Sequence, residues 1–326
     1  VFPNRAGDLT GVQFAAAAEL GVRFHASRGS MDLSKKDGGL PPDSVVQTVD
    51  EILKDSRNAV ETYHDPAPFS MEMVALAPCS PFSASEDLYR QSAILARELG
   101  VRLHTHLCET IDEENYVLGK YGKRPLSYMA DMNWVGDDVW YAHGIHFNDE
   151  ELALLAKTGT GVAHCPISNM KLSSGICRIP DMLRLGVPVG LAVDGSASND
   201  GSNLLEELRT AFLLHRLHSS KLAPSGYDVL KIATNGSAKV LGREDIGSLE
   251  TGKAGDLFLI RRNRLELVGA DLDVKSMLGT VGIKGAVDCT VVNGRIVVKN
   301  GELVGIDEEK EIRIGRKLVN AYLNGI

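Results

Sequence analysis

The stretch Val101-Arg102-Leu103-His104-Thr105-His106-Leu107-Cys108-Glu109 decides how this chain is read. It opens on apolar residues, alternates, and ends on imidazole, thiol and carboxylate. Residues 85–99 before it read as a helix that stops at Gly100, a residue suited to a helix C-cap. Residues 112–132 after it read as helical, with a break near Gly122. A short strand set between two helices is one unit of a parallel α/β sheet.

The same unit repeats outward in both directions. Helices are expected at 10–20, 43–63, 149–157, 179–185, 201–216 and 226–241. Strands are expected at 22–27, 73–77, 101–107, 138–143, 161–164 and 187–193. Residues 30–42 read as a loop. This alternation predicts an α/β barrel region over 1–245. The pattern then changes. Short β-branched runs at 256–260, 289–292, 295–298 and 302–304 are separated by turns such as Asn293-Gly294 and Asn300-Gly301. A small β unit is therefore expected over 246–307, and a C-terminal helix within 308–326.

Composition narrows the function. The chain has 326 residues, 44% hydrophobic and 24% charged, which is ordinary for a globular protein. Its net charge of −8 gives no electrostatic footprint for nucleic acid or an anionic membrane. No run of about 18 apolar residues suggests a spanning helix. Five cysteines without regular spacing argue against a disulfide framework and for a reducing, cytoplasmic setting.

Polar residues gather where the expected strands end, and those ends build the site of an α/β barrel. They read His104-Thr105-His106-Leu107-Cys108-Glu109, Ala142-His143-Gly144, Ala163-His164-Cys165-Pro166 and Val193-Asp194-Gly195. One His at a strand end is ordinarily a satisfied polar residue, and Asp before Gly is ordinarily turn chemistry. Four such ends converging on one mouth point instead to a divalent metal, Zn²⁺ or Fe²⁺ by the imidazole and carboxylate donors. Strand alternation is taken to set His106 inward as a ligand and His104 on the other face as a structural residue. Glu109, three residues beyond His106, is placed to take a proton from a metal-activated water and pass it to a leaving group. The plainer role for Glu109 is to favour the first turn of the following helix.

These motifs resemble the amidohydrolase superfamily, in its branch of nucleobase and triazine deaminases and chlorohydrolases. The resemblance rests on residues 104–109, 142–144, 162–172 and 193–200, and on Gly247-Ser248-Leu249-Glu250-Thr251-Gly252-Lys253-Ala254-Gly255-Asp256-Leu257. Within that branch, residues 28–31, 37–43, 76–83 and 158–166 are most similar to the 8-oxoguanine deaminases. The resemblance implies a (β/α)8 barrel with residues 246–307 as part of a β-sandwich. It implies one divalent metal held by His106 and Asp194, with His143 ligating or orienting the water. It assigns catalysis to Glu109, His143 and Asp194, Glu109 protonating a ring nitrogen of the substrate. It places His164 in the substrate pocket and Arg28 at the polar edge of a purine. The implied reaction is hydrolytic loss of ammonia from a small heterocycle: 8-oxoguanine or a related purine, pyrimidine or pterin. The only other partner it implies is a further copy of the chain, as a homo-oligomer.

The chain departs from that pattern in one respect. The family's His-x-His pair at the first barrel strand has no counterpart before residue 20, and six strands are counted where a barrel of this kind has about eight. The expectation is therefore a barrel lacking its first strands, the later part of a protein of about 430–460 residues. The same site could serve a triazine amino- or chlorohydrolase. A degenerate barrel that only binds a ligand is the reading from another class. Cys-ligated zinc deaminases are excluded, because no Pro-Cys-x-x-Cys follows a His-x-Glu. Cys79, Cys108 and Cys165 each lie near a His, but buried structural cysteine is the commoner state.

Overall fold

The computed structural model describes residues 7–325. The first part runs α1 (Leu9–Leu20), β1 (Phe24–Ser30), α2 (Val49–Tyr63), β2 (Glu72–Pro78), α3 (Glu86–Leu99) and β3 (Arg102–Leu107). It continues with α4 (Ile111–Tyr121), α5 (Pro125–Ala130), β4 (Val139–His143), α6 (Asp149–Thr158) and β5 (Gly161–His164). Next come α7 (Pro166–Lys171), α8 (Ile179–Leu185), β6 (Val189–Leu191), α9 (Ser196–Asn199) and α10 (Leu204–Ser219), then α11 (Gly226–Lys231) and α12 (Ser237–Val240). All six strands pair in parallel, in the order of the sequence, so β1 and β6 are the outer strands among the described residues. The register sets Leu107 beside His143 and His164 beside Leu191, which lines up the strand ends.

The strands are buried on both faces, as parallel strands covered by helices must be. All five residues of β4 are buried. On one face Val74, Leu76, Leu103, Leu107, Val139, Tyr141 and Val162 join the main core with the helices. On the other face Ala75 and Trp140 pack with Val240 and Ala163 in a smaller cluster. Trp134 anchors the outer layer. It is fully buried, donates through Nε1 to the Tyr89 carbonyl at 2.7 Å, and meets the Tyr89 ring edge-on at 5.0 Å. Burying a side chain of this kind stabilises by about 1.5–3 kcal/mol.

Helix ends follow local chemistry. The helix expected at 43–63 starts later, because α2 begins at Val49. Thr48 and Glu51 form a reciprocal capping box there, which satisfies two otherwise unpaired N–H groups. Residues 226–241 are not one helix. A wider π turn over Ile232–Gly236 separates α11 from α12. A Cβ on Gly236 would come within 2.1 Å of the Val189 carbonyl oxygen, so only glycine allows this segment to lie against β6.

The second sheet is antiparallel, with strand order β10-β9-β8-β7. It comprises β7 (Leu257–Leu259), β8 (Cys289–Val292), β9 (Arg295–Lys299) and β10 (Glu302–Leu303), with a short helix α13 (Met277–Thr280) before β8. Arg23, just before β1, makes a two-pronged ion pair with Asp256, just before β7, at 2.7 and 3.0 Å. The last element is α14 (Glu308–Leu323). Among the described residues no helix is long and apolar enough to cross a membrane.

Candidate active site

Three strand ends meet. His106 closes β3, His143 closes β4, and Asp194 follows β6. One donor atom from each lies within 4.8 Å of the others. The His106 and His143 rings stack at 5.4 Å with 24° between their planes. Glu109 approaches from the turn after β3, its Oε2 3.6 Å from His143 Nε2. Cys108, His143 and Asp194 all adopt positive φ, 53°, 73° and 66°. Such a backbone costs non-glycine residues about 1–3 kcal/mol each, and clusters of it mark functional sites. Here it turns each chain sharply at the sheet rim and aims the side chains at one point.

The donors are held from behind. His106 Nδ1 lies 2.6 Å from the Cys79 carbonyl oxygen, so Nδ1–H donates and Nε2 is the nitrogen left to bind a metal once its proton is given up. His143 Nδ1 lies 3.0 Å from the side-chain amide of Asn169 in α7, leaving Nε2 toward Glu109. Asp194 Oδ2 accepts from Ser168 Oγ at 2.5 Å and Ser198 Oγ at 3.1 Å, while Oδ1 accepts from the Gly195 N–H at 2.7 Å. Glu113, buried in α4, accepts from the Cys108 N–H at 2.7 Å and the Glu109 N–H at 3.4 Å, and so fixes the turn that carries Glu109.

Electrostatics separate the roles. Burial, then the charge of His106, pulls His143 down to about 4. Burial pushes the Glu109 carboxyl up, reinforced by Asp194 and opposed by His106. Burial also acts to raise Asp194, but the Ser168 hydrogen bond and His143 outweigh it and leave a net lowering. Glu109 therefore holds a proton more readily than Asp194, which stays ionised. Two imidazoles and a carboxylate within bonding reach of one point, each with its outer atom already satisfied, fit a divalent ion.

The structure corrects three sequence expectations. His104 does not face away from His106. Residues two apart on a strand share a face, and the two rings lie 5.8 Å apart. His104 is structural all the same, stacked on Trp140 at 4.8 Å with burial holding it neutral. His164 belongs to the opposite face from Ala163 and the smaller cluster. It is buried, with Nε2 3.1 Å from Nε2 of His215 on α10, so it packs between sheet and helix instead of lining the cluster. Arg28 also points to the helical layer. Its guanidinium is taken up by Asp55 at 2.6 and 2.8 Å, Gln47 at 3.1 Å and the Gly29 carbonyl at 2.8 Å. A cavity of about 610 Å³ lies elsewhere, lined by Leu183, Val189 and Ile232, and includes none of these groups.

Ser168, Asn169 and Ser198 were missed as site residues, although they stand inside motifs quoted above. Spacing alone does not separate a polar residue that grips a ligand from one that faces solvent. Glu113 lies one helical turn beyond Glu109 and reads as an ordinary first-turn acid.

The amidohydrolase family profile, Amidohydro_1, matches residues 9–297. Over 299 residues the chain is 45% identical to hydroxydechloroatrazine ethylaminohydrolase of Pseudomonas sp. (strain ADP), covering 91% of this chain and 62% of that protein. It is 42% identical over 325 residues to 8-oxoguanine deaminase of Pseudomonas aeruginosa, covering 100% of this chain and 72% of that one. Among solved structures, atrazine chlorohydrolase TrzN from Arthrobacter aurescens TC1 complexed with zinc superposes with a TM-score of 0.94 at 35% identity. That match covers 98% of this chain and 71% of that one. The chain thus spans between about three-fifths and three-quarters of the length of these relatives.

Proposed function

The chain belongs to the amidohydrolase family, and on that premise we propose that it is the main catalytic part of a metal-dependent hydrolytic deaminase. The substrate is an amino-substituted heterocycle, 8-oxoguanine or a related purine, pyrimidine or pterin. The observation that carries this is the convergence of His106, His143 and Asp194 within 4.8 Å, with Glu109 3.6 Å from His143. His106, Asp194 and His143 would hold one divalent ion, Zn²⁺ by the chemistry of the donors, with Fe²⁺ the alternative. When bound, the ion supplies Lewis-acid activation of water at neutral pH.

The side chains do the rest. Asp194, kept ionised by Ser168 and Ser198, accepts a proton as water adds to the ring carbon that bears the amino group. Glu109, whose carboxyl is raised, delivers a proton to the adjacent ring nitrogen. His143, held neutral by burial, keeps Nε2 on the cluster beside Glu109 and so helps to set where the reaction occurs. Asp194 passes its proton to the amino group, the C–N bond breaks and ammonia leaves, while the new hydroxyl returns a proton to Glu109 as the carbonyl forms.

Five free cysteines, Cys79, Cys108, Cys165, Cys177 and Cys289, fit a reducing, cytoplasmic setting. A second reading keeps the same water activation and changes the leaving group to the amine or halide of a triazine. The 45% identity to an ethylaminohydrolase favours it.

Ammonia release from 8-oxoguanine, guanine, isocytosine, isoxanthopterin and an aminotriazine, measured on the whole protein with Zn²⁺, tests the proposal. One good substrate is expected, with kcat lowered by about 10²–10⁴ in Glu109→Gln. Bound metal without ammonia from any member moves the chemistry to another leaving group. Neither metal nor turnover leaves a binding protein.

A further inference from the structure

Glu207 lies in the first turn of α10 and is fully buried. No Lys, Arg or His pairs with its carboxylate among the described residues. Leaving an acid there is costly unless its oxygens are well used, and both are. Oε2 accepts from the Ile167 N–H at 3.1 Å, and Oε1 accepts from the Asn199 side-chain amide.

Those two donors sit on different βα loops, Ile167 in the short helix α7 after β5 and Asn199 in α9 after β6. Each is the sequence neighbour of a residue that grips the cluster. Ile167 precedes Ser168, which donates to Asp194, and Asn169, which meets His143. Asn199 follows Ser198, the second donor to Asp194. Asn199 is itself pinned, because its Oδ1 accepts from the Ser202 N–H at 2.6 Å.

We propose that Glu207 is a positioning residue that locks the two loops together, so that Ser168, Ser198 and Asn169 set Asp194 and His143 for the metal. This rests on the metal reading of the cluster. Among the described residues no hydrogen bond joins Glu207 to His106, His143 or Asp194, so it acts through the two loops.

Glu207→Gln isolates the effect. Glutamine has one acceptor oxygen and one donor amide in place of two acceptors. Its NH₂ must face either the Ile167 N–H or the Asn199 NH₂. Asn199 cannot turn its amide without abandoning Ser202. One loop is released in either orientation, with almost no change of volume. The control is Leu88→Ala, a buried truncation in α3, which packs on α2, β2 and β3.

Co²⁺ affinity and the visible absorption of bound Co²⁺ are measured on both variants, together with Tm and amide hydrogen exchange of the metal-free chains. Glu207→Gln is expected to weaken Co²⁺ binding about 10–100-fold, the usual cost of losing a group behind the ligands. It should change the absorption bands and speed exchange in residues 166–171 and 195–203. Leu88→Ala should lower Tm and leave affinity and bands as in the wild type. Wild-type affinity and bands in Glu207→Gln overturn the proposal. So does an equal loss in Leu88→Ala, since general loosening then suffices. A wild-type whole protein that takes up no Co²⁺ overturns the metal reading itself. In that event exchange decides the lock, and unchanged exchange in Glu207→Gln refutes it.

Discussion

Ser168 Oγ lies 2.5 Å from Asp194 Oδ2, joining the short helix α7 after β5 to the loop after β6. Ser198 donates to the same oxygen from 3.1 Å, so the longer bond persists when the shorter one is removed. Ser168→Ala is expected to weaken metal binding about tenfold, and Ser168→Ala with Ser198→Ala by more, toward the 100-fold end of such effects. Metal titration of the three proteins checks this. Equal affinities would show that the hydroxyls do not orient the carboxylate.

Metal binding should release a proton and stabilise the fold. Burial opposes charge on His106, but its hydrogen bond and charge interaction with Cys79 raise it to about 9. At pH 7 the ring is then protonated without metal, and a ligand must give that proton up. Calorimetric titration in buffers of different ionisation enthalpy is expected to show about one proton released per ion, and none in His106→Ala. At a free metal concentration of 100 Kd the gain in stability is about 2.7 kcal/mol. Chelator should reverse it as a fall in Tm.

Arg28 serves the fold. Its side chain is 1% exposed and its partner Asp55 39% exposed. Arg28→Met removes the charge and keeps much of the apolar stem. Asp55 can rehydrate, so the loss is expected to be about 1–3 kcal/mol by denaturant unfolding. KM for the preferred substrate should be unchanged. A raised KM with unchanged stability would restore the substrate-binding role expected from the sequence.

The chain should lose stability in mild acid. His25 meets Trp140 edge-on at 5.9 Å, and both its ring nitrogens are buried without a partner. Burial, then the charges of His64 and Arg102, hold it down to about 4. A His with a folded pKa below its unfolded 6.5 takes up its proton first in the unfolded chain. Its stability contribution is complete above pH 6.5 and is lost as pH falls toward 4. The drop from 6.5 to 4 corresponds to at most roughly 3 kcal/mol. His143 and His215 are also held at about 4, so they add to the slope. The urea midpoint should fall through this window, and His25→Phe, which keeps a ring against Trp140, should flatten the fall. An unaltered slope in that variant would mean His25 is solvated.

The sequence by itself determined the order of the elements and most of the cluster. Strand and helix periodicity differ, glycines end the helices, and the ligands stand at strand ends, so local chemistry marks His106, His143, Asp194 and Glu109. Which face each residue takes was less legible. His104 shares the face of His106, because residues two apart on a strand do, and His164 and Arg28 pack toward the helices although their motifs point to the pocket. Tertiary structure alone decided what holds the site. Ser168, Ser198, Asn169, Glu113 and Glu207 come from four separate segments, and a hydrogen bond between loops leaves no local pattern in either loop. A ligand is announced by its own chemistry, whereas a residue that positions a ligand is defined only by what the fold brings beside it.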